Sequence, residues 1–252
     1  TGRPIVLSLS PGPAQLSHAS EIIRHAQMWR IANDLWDGWT FAHSDPQNDF
    51  PTGLRAAFDN LAKWSAFAAP GHWPDGDMLP FGSLTPHPGW GLPRESRLSH
   101  EEERCALTLW AVARSPLILG GNLTQLDPFT RSLITNRDVL EVDQQSSSSR
   151  PVTNLPQGFE TMRVWVGSEP REGKLATIVA VFNLQDASAA VHATWAELTD
   201  APSGDAPSGH APSGHAPSGR RHARNLWSGA VSDQQGLAEV LPAHGCAIYR
   251  LE

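Results

Sequence analysis

The sequence predicts an α/β fold in two parts, half of a (β/α)8 barrel followed by an antiparallel β-domain. In residues 1–145, short apolar runs alternate with stretches of helical period, as expected of β/α units around a parallel sheet. After a polar tract at 144–150, short strand-like runs separated by Gly, Pro and Asp turns take over. The chain has 252 residues, of which 40% are apolar, enough for one large domain or two smaller ones. We therefore expect domains at 1–145 and 146–252.

The first two β/α units are predicted from the amino-terminal third of the chain. The β-branched, mostly apolar run at 5–10 has the character of a buried strand. Apolar residues at 22–29 recur at helical spacing and lead into a run at 30–35 that is short enough for a second strand. Apolar positions then repeat every three to four residues over 50–68, which predicts the second helix.

Two further units follow and complete half of an eight-fold barrel. Residues 73–79 have the pattern of a strand end with a polar mouth. Ser99 precedes Glu102 by three residues, the capping-box arrangement, and predicts the start of the third helix. The run at 116–121 predicts another strand, and an Asp-Pro pair starts a fourth helix over 127–136.

The second domain is predicted as short strands at 162–166, 175–183, 189–195, 224–227 and 247–251. A tract of four tandem pentapeptides, each an Asp or His followed by Ala-Pro-Ser-Gly, interrupts it at 200–219. Alanine is the only apolar residue of the repeat, so the tract cannot repay the entropy of ordering. We interpret it as a mobile insertion between strands rather than as a metal site at its two histidines.

The composition argues against several function classes. A net charge of −7 without a basic stripe argues against binding to nucleic acid or to anionic membranes. No apolar run approaches the roughly 20 residues that span a bilayer. The two cysteines are too few and too far apart for a disulfide framework or a zinc site. Nucleotide, serine-hydrolase and metalloprotease motifs are absent, and we predict no cofactor and no metal.

Four carboxylates sit at predicted strand ends, where residues of a parallel barrel converge on one mouth: Asp34, Asp37, Asp75 and Asp77. Aspartate is common in turns, so no single one is diagnostic, and Arg30 and Asp34 have the spacing of an ion pair on a helix. The combination of aromatic rings, a fixed cation and acids over 29–39 is more specific. It suits a sugar, whose apolar face stacks on rings and whose glycosidic bond is broken by carboxyl groups.

The ten tryptophans support this interpretation only weakly. Trp64 and Trp110 fall on apolar helix faces, which places them in the core. The candidates for contact with a sugar are those in loops or at strand ends: Trp36, Trp39, Trp73 and Trp90.

Longer motifs resemble a known family. They are the run at 5–10, WR-(x3)-D-(x2)-D-x-W at 29–39, G-x-W-x-D-x-D-M-L at 71–79, the helix and strand at 98–117, and the segments 225–228 and 244–245. Together they resemble the carboxyl-terminal half of glycoside hydrolase family 27, the α-galactosidases and α-N-acetylgalactosaminidases. The resemblance implies strands five to eight of a (β/α)8 TIM barrel at 1–145, then an antiparallel β-sandwich at 146–252.

The resemblance also implies residue roles. Asp34 would be the general acid and base of a retaining hydrolase, and Arg30 a substrate-binding residue beside it. Asp77 would bind sugar hydroxyls, Met78 would form a wall of the pocket, and Asp37 and Asp75 would orient the others. Ser10, in the loop after the fifth strand, would face the second carbon of the sugar, and we add Trp73 as a substrate contact.

One part of the family pattern has no match here. The family nucleophile is an aspartate after the fourth strand, in a motif like Y-x-K-x-D, and strands one to four are likewise without a counterpart. We therefore predict that this chain alone has no glycosidase activity and works with a missing amino-terminal half-barrel.

The sequence predicts a small set of related sugars as substrates. Terminal α-linked galactose is favoured because it is the commonest substrate in the family. The small residue at Ser10 also resembles an N-acetylgalactosaminidase pocket, and a β-L-arabinopyranoside is a third possibility. The alternative from another class is a non-catalytic carbohydrate-binding protein of the same fold.

Overall fold

The structure, a computed structural model, describes residues 2–41, 50–84, 92–199 and 221–252. Trp90 and the predicted insert at 200–219 lie outside the described residues. The chain divides into two compact units, Thr1–Thr135 and Asn136–Glu252. No helix among the described residues is long and apolar enough to cross a membrane.

The first unit is built on a small parallel sheet. Its first elements are β1 (Ser8–Leu9), α1 (Ala19–His25), β2 (Met28–Arg30), α2 (Leu54–Trp64) and β3 (Trp73–Asp75), with 3-10 turns at Leu16–His18 and Ser65–Phe67. The three strands pair in parallel in the order β1-β2-β3. Leu9 is level with Trp29, and Arg30 is level with Asp75, so the carboxyl ends of β2 and β3 are level with each other. The β/α alternation predicted from the sequence is therefore present.

The rest of this unit consists of β4 (Ser83–Leu84), β5 (Arg94–Glu95), α3 (His100–Ala113) and α4 (Pro128–Ile134), with a 3-10 turn at Leu123–Gln125. Strands β4 and β5 form a short antiparallel pair. The predicted start of α3 is confirmed, because the Ser99 side chain accepts from the Glu102 amide and the Glu102 side chain accepts from the Ser99 amide. The predicted strand at 116–121 is reduced to one parallel bridge, between Leu79 and Leu119.

One residue was assigned to the wrong element from the sequence. Trp29 was placed on the first helix by its spacing, but it lies on β2. The helix ends before it because Ala26 adopts an extended backbone, with φ −133° and ψ 152°. Trp29 is buried and its ring lies 5.8 Å from that of Trp64, on the apolar face of α2. The spacing of apolar residues alone does not show whether Trp29 lies on a helix or on a strand, because its ring is buried against α2 although β2 carries it.

The second unit is almost entirely antiparallel. It contains α5 (Arg137–Gln145), β6 (Ser147–Pro151), β7 (Met162–Arg171), β8 (Lys174–Asn183), β9 (Ala189–Thr194), α6 (Trp195–Thr199), β10 (Arg221–Asn225), β11 (Val231–Gln234), β12 (Gly236–Leu241) and β13 (Cys246–Leu251). Six strands form a sheet in the order β11-β10-β13-β8-β7-β6, and β12 pairs with β9. The predicted antiparallel β-domain is confirmed, while α5, α6, β6, β11 and β12 were not predicted. The sequence-based boundary near 145 differs from the division after Thr135 by the helix α5.

A buried ion network fixes α5 to this sheet. Arg250 on β13 is fully buried and donates from two nitrogens to the carboxylate of Glu169 on β7, at 3.1 Å for the Nη2 bond. Its guanidinium also reaches Asp138 at 3.2 Å and Glu141 at 3.4 Å, both on α5. A buried guanidinium is tolerated because it is paired and hydrogen-bonded on several sides.

Candidate active site

The carboxyl ends of β2 and β3 gather the charged residues that the sequence singled out. Arg30 and Asp75 end the two strands side by side, and the Ile31 amide donates to the Asp75 carbonyl oxygen at 3.0 Å. Asp34 and Asp77 follow these strand ends. Since loops after parallel strands open at one edge of the sheet, this edge carries the candidate site.

Arg30 joins two of the carboxylates through one nitrogen. Its Nη2 lies 3.2 Å from Asp34 Oδ1 and 3.0 Å from Asp77 Oδ2, and it donates to the Ala32 carbonyl oxygen at 3.1 Å. The guanidinium is buried, and its Nε has no hydrogen-bond partner among the described residues. The buried positive charge of Arg30 therefore acts on both the Asp34 and the Asp77 carboxylates.

Asp77 is held in a rare backbone conformation. Its φ of 90° lies outside the range that non-glycine residues usually occupy, and such conformations cluster at functional sites. Oδ2 accepts from the Leu35 amide at 2.7 Å, and Oδ1 accepts from the Met78 amide at 2.8 Å. The Trp110 indole donates to the Asp77 carbonyl oxygen at 3.0 Å. Burial raises the pKa of Asp77, against the opposing effect of these amides and of Arg30.

Asp75 supports this conformation from one residue away. Its Oδ1 accepts from the Asp77 amide at 2.9 Å, and burial raises its pKa. Gly76, between the two, donates to Ser115 Oγ at 2.9 Å. A Cβ at Gly76 would lie 2.8 Å from the Trp110 ring, so the turn needs glycine for close approach.

Asp37 is held by an arginine side chain and a main-chain amide from residues 94–97. Arg94 on β5 donates to both of its oxygens, at 2.6 Å for the bond to Oδ1, and the Arg97 amide donates to Oδ2 at 2.9 Å. Burial acts to raise the pKa of Asp37, but the hydrogen bonds from Arg94 and Arg97 together hold it below its usual value. The sequence analysis missed Arg94, because the pair joins residues 57 positions apart and no local pattern marks it.

Asp34 contrasts with these three buried acids. Its side chain is 55% exposed and contacts Arg30 alone among the bonds described above. Its main chain is fixed, because the Thr52 amide donates to the Asp34 carbonyl oxygen at 3.0 Å. An exposed carboxyl group on a fixed backbone, beside a buried cation, is suited to exchanging a proton with a bound molecule.

Of the remaining predicted substrate contacts, Ser10 and Met78 follow strand ends at this edge, whereas Trp73 lies at the opposite, amino end of β3. Ser10 directly follows β1 and is exposed, and Met78 directly follows Asp77 and is exposed. Trp73 starts β3 and is partly buried, with the Arg114 guanidinium 4.8 Å from its ring centroid. One ring face of Trp73 is thus in contact with a protein cation.

The other tryptophans mostly pack within the unit. Trp64 and Trp110 are buried, as predicted. Trp39 is buried with its ring 6.2 Å from that of Phe58. Trp36 is partly buried at 6.4 Å from Phe50. Within the described ranges, no group of three or more His, Cys, Asp or Glu side chains is arranged to hold a metal ion.

Comparison with known proteins gives two family matches. Residues 1–145 match the family described as alpha galactosidase A, and residues 159–251 match the alpha galactosidase C-terminal beta sandwich domain. The alpha-galactosidase 2 of Arabidopsis thaliana is 27% identical over 88% of this chain and 46% of its own length. The alpha-galactosidase A of Cellvibrio japonicus is 25% identical over 99% of this chain and 56% of its own.

Solved structures of related enzymes superimpose on this chain. A GH27 β-L-arabinopyranosidase from Geobacillus stearothermophilus superimposes with a TM-score of 0.80 at 32% identity, covering 100% of this chain and 50% of that one. The α-galactosidase I of Mortierella vinacea, at 22% identity and a TM-score of 0.75, shares the fold. The chain spans about half the length of the relatives it matches.

Proposed function

The chain belongs to the alpha galactosidase A family, and from that premise we propose that it is part of a retaining glycoside hydrolase acting on terminal α-linked galactose. The observation that carries the proposal is the arrangement of Asp34 and Asp77 on one nitrogen of the buried Arg30. It combines an exposed carboxyl group with fixed charges that suit sugar hydroxyls.

Asp34 acts as general acid and then as general base. In the first step its carboxyl proton goes to the glycosidic oxygen as the bond from that oxygen to the sugar breaks and a nucleophilic aspartate from outside this chain bonds to the anomeric carbon. In the second step the Asp34 carboxylate takes a proton from the water that attacks the anomeric carbon, and the nucleophilic carboxylate leaves. The Arg30 guanidinium, 3.2 Å away, stabilises the carboxylate present between these steps.

Asp77 and Arg30 bind the sugar. An ionised carboxylate has about four acceptor positions, and three on Asp77 are taken by Leu35, Met78 and Arg30. One position is left to accept from a sugar hydroxyl.

The other predicted residues surround this centre. Asp75 and Asp37 keep the two loops in place through the bonds described above. Ser10 and Met78 are proposed to contact the substrate.

The nucleophile comes from outside this chain. β1 is an edge strand of the sheet among the described residues, and Ile5, Val6 and Leu7 beside it are exposed apolar side chains. An open parallel edge with apolar neighbours is a surface that further barrel strands would cover. We propose that a preceding half-barrel packs there and supplies the nucleophilic aspartate, and that the 252-residue chain alone is inactive.

A β-L-arabinopyranoside is the second candidate substrate. The observation in its favour is the 32% identity to the Geobacillus β-L-arabinopyranosidase, above the 22% to the Mortierella α-galactosidase. This sugar is an α-galactoside that lacks the hydroxymethyl group, so the same carboxylates could serve both.

The test compares nitrophenyl α-galactoside, α-N-acetylgalactosaminide and β-L-arabinopyranoside on the full-length protein that carries this chain. The α-galactoside should give the highest kcat/KM, and a higher value for either other sugar replaces the substrate proposed here. Binding of galactose without turnover of any of the three would favour the carbohydrate-binding alternative.

The role of Asp34 is tested in the same protein with α-galactosides that have poor leaving groups. Asp34→Asn should abolish turnover of substrates with poor leaving groups while galactose affinity is retained, since the amide cannot donate the proton. Asp186→Asn, at an exposed aspartate of the second unit, is the matched control. Unchanged turnover in Asp34→Asn removes Asp34 from the role.

A further inference from the structure

The β4–β5 pair is connected to the segment that carries Asp34. Arg94, on β5, makes two bonds to the carboxylate of Asp37, and the Arg97 amide adds a third donor from the same side. One more main-chain bond extends the β4–β5 pair, because the Ser96 amide donates to the Gly82 carbonyl oxygen at 2.8 Å. Three donors from residues 94–97 therefore converge on a single buried carboxylate.

Asp37 transmits this anchoring to Asp34, because it lies three residues further along the same loop. On the opposite side, the loop pairs with the segment before α2: the Trp36 amide donates to the Thr52 carbonyl oxygen at 3.0 Å, and the Leu54 amide donates to that of Gly38 at 2.9 Å. Asp37 itself is 2% exposed. The loop is thus held by main-chain bonds on one side and by a charged pair on the other.

We propose that Arg94 is a positioning residue for Asp34. Its two-pronged pair with Asp37 fixes the loop so that the Asp34 carboxyl group remains at 3.2 Å from Arg30 Nη2. Arginine suits this role because its planar fork matches a carboxylate with two parallel bonds, which a lysine ammonium cannot make. The inference rests on the proposed function of Asp34 and adds a residue that the family motifs over 29–39 and 71–79 do not contain.

The test is Arg94→Lys in the full-length protein, assayed with two galactosides that differ in their leaving group. A misplaced general acid slows cleavage of the substrate with a poor leaving group. It spares cleavage of dinitrophenyl galactoside, because dinitrophenolate leaves without taking a proton. We expect a loss of about 10- to 100-fold in kcat/KM, which reports the first step only, for the substrate with the poor leaving group, the scale of a misplacement near 1 Å, and less than about threefold for dinitrophenyl galactoside.

Arg104→Lys is the matched control. Arg104 has a similar exposed side-chain fraction, 27% against 31% for Arg94, and is also paired with a carboxylate, that of Glu101. It should leave both rates unchanged. Equal losses on the two substrates, or no loss on either, would overturn the proposal, since a purely structural role does not distinguish leaving groups.

A second variant covers the case in which Arg94→Lys does not fold. The double substitution Arg94→Gln with Asp37→Asn removes both charges, so no unpaired charge stays buried. It should show the same dependence on the leaving group, and activity like that of the unmodified protein overturns the proposal. If the unmodified full-length protein turns over neither substrate, the proposed function itself has failed, a result distinct from a uniform loss in an active enzyme.

Discussion

Glu103 should make the stability of the first unit fall as the pH rises through neutrality. The residue lies on α3 with 3% of its surface exposed, and its Oε1 accepts a long bond, 3.4 Å, from the Gly82 amide. Burial raises the pKa of Glu103 to about 7 from the ordinary 4.5, opposed by the hydrogen bonds from Gly82 and Ser96 and reinforced by the charges of Asp127 and Glu95.

The size of the effect follows from the difference between the folded and unfolded pKa values. The folded state holds the proton more tightly, so the stabilisation is complete below the unfolded pKa of 4.5 and is lost as the pH rises to about 7. At about 1.4 kcal/mol per pKa unit, the free energy of unfolding should drop by about 2 to 3 kcal/mol between about pH 5 and about pH 8.

The assay is urea unfolding of the full-length protein, followed by tryptophan fluorescence across that pH range. Glu103→Gln keeps an acceptor for the Gly82 amide and removes the titration, so the drop should shrink and the variant should be the more stable protein near pH 8. Glu21→Gln, at an exposed glutamate of the same unit, should follow the unmodified protein. An unchanged pH slope in Glu103→Gln would refute the reasoning.

Two further predictions concern the second unit. Glu169→Gln should lower its free energy of unfolding by about 3 kcal/mol, measured by urea unfolding, because the fully buried Arg250 loses its nearest charge; a change below about 1 kcal/mol would contradict this. Tyr249, the one tyrosine of the chain, should ionise only near pH 12, since burial and the hydrogen bond to Glu239 raise its pKa to about 12. An absorbance titration of the phenolate checks this, and a midpoint near the ordinary 10 would show that the site is open to solvent.

The sequence predicted the elements whose signals are local. The Ser99 capping box is read from residues three apart, and it starts α3 as expected. The acids at 34, 37, 75 and 77 were grouped from the sequence because strands of a parallel sheet end together. Contacts in the structure join Asp34 and Asp77 through Arg30, and Asp75 accepts from the Asp77 amide, whereas Asp37 is paired with Arg94; the roles of all four in catalysis stay predictions.

What the sequence did not predict depends on contacts between distant residues. β6, β11 and β12 are short, polar or interrupted, so their pairing follows from strands already in place rather than from their own pattern. The Arg94 pair with Asp37 joins β5 to a loop 57 positions earlier in the chain, and an isolated arginine has no periodic pattern that would predict its partner. The φ of 90° at Asp77 is likewise imposed by its amide and indole partners.

The β7–β8 hairpin gives the second unit a direction of assembly. The two ten-residue strands pair from Met162 with Asn183 to Arg171 with Lys174, and they are joined by Glu172 and Gly173 at φ 46° and 81°. Two successive positive φ values are typical of the type I′ turn, whose twist matches that of the strands it connects. Its contacts are local, and hairpins of this kind close in about 1–10 μs. In the order of synthesis, β8 therefore gains its neighbour β7 first. Its other neighbour, β13, is the last strand of this sheet along the sequence and pairs with the opposite edge of β8.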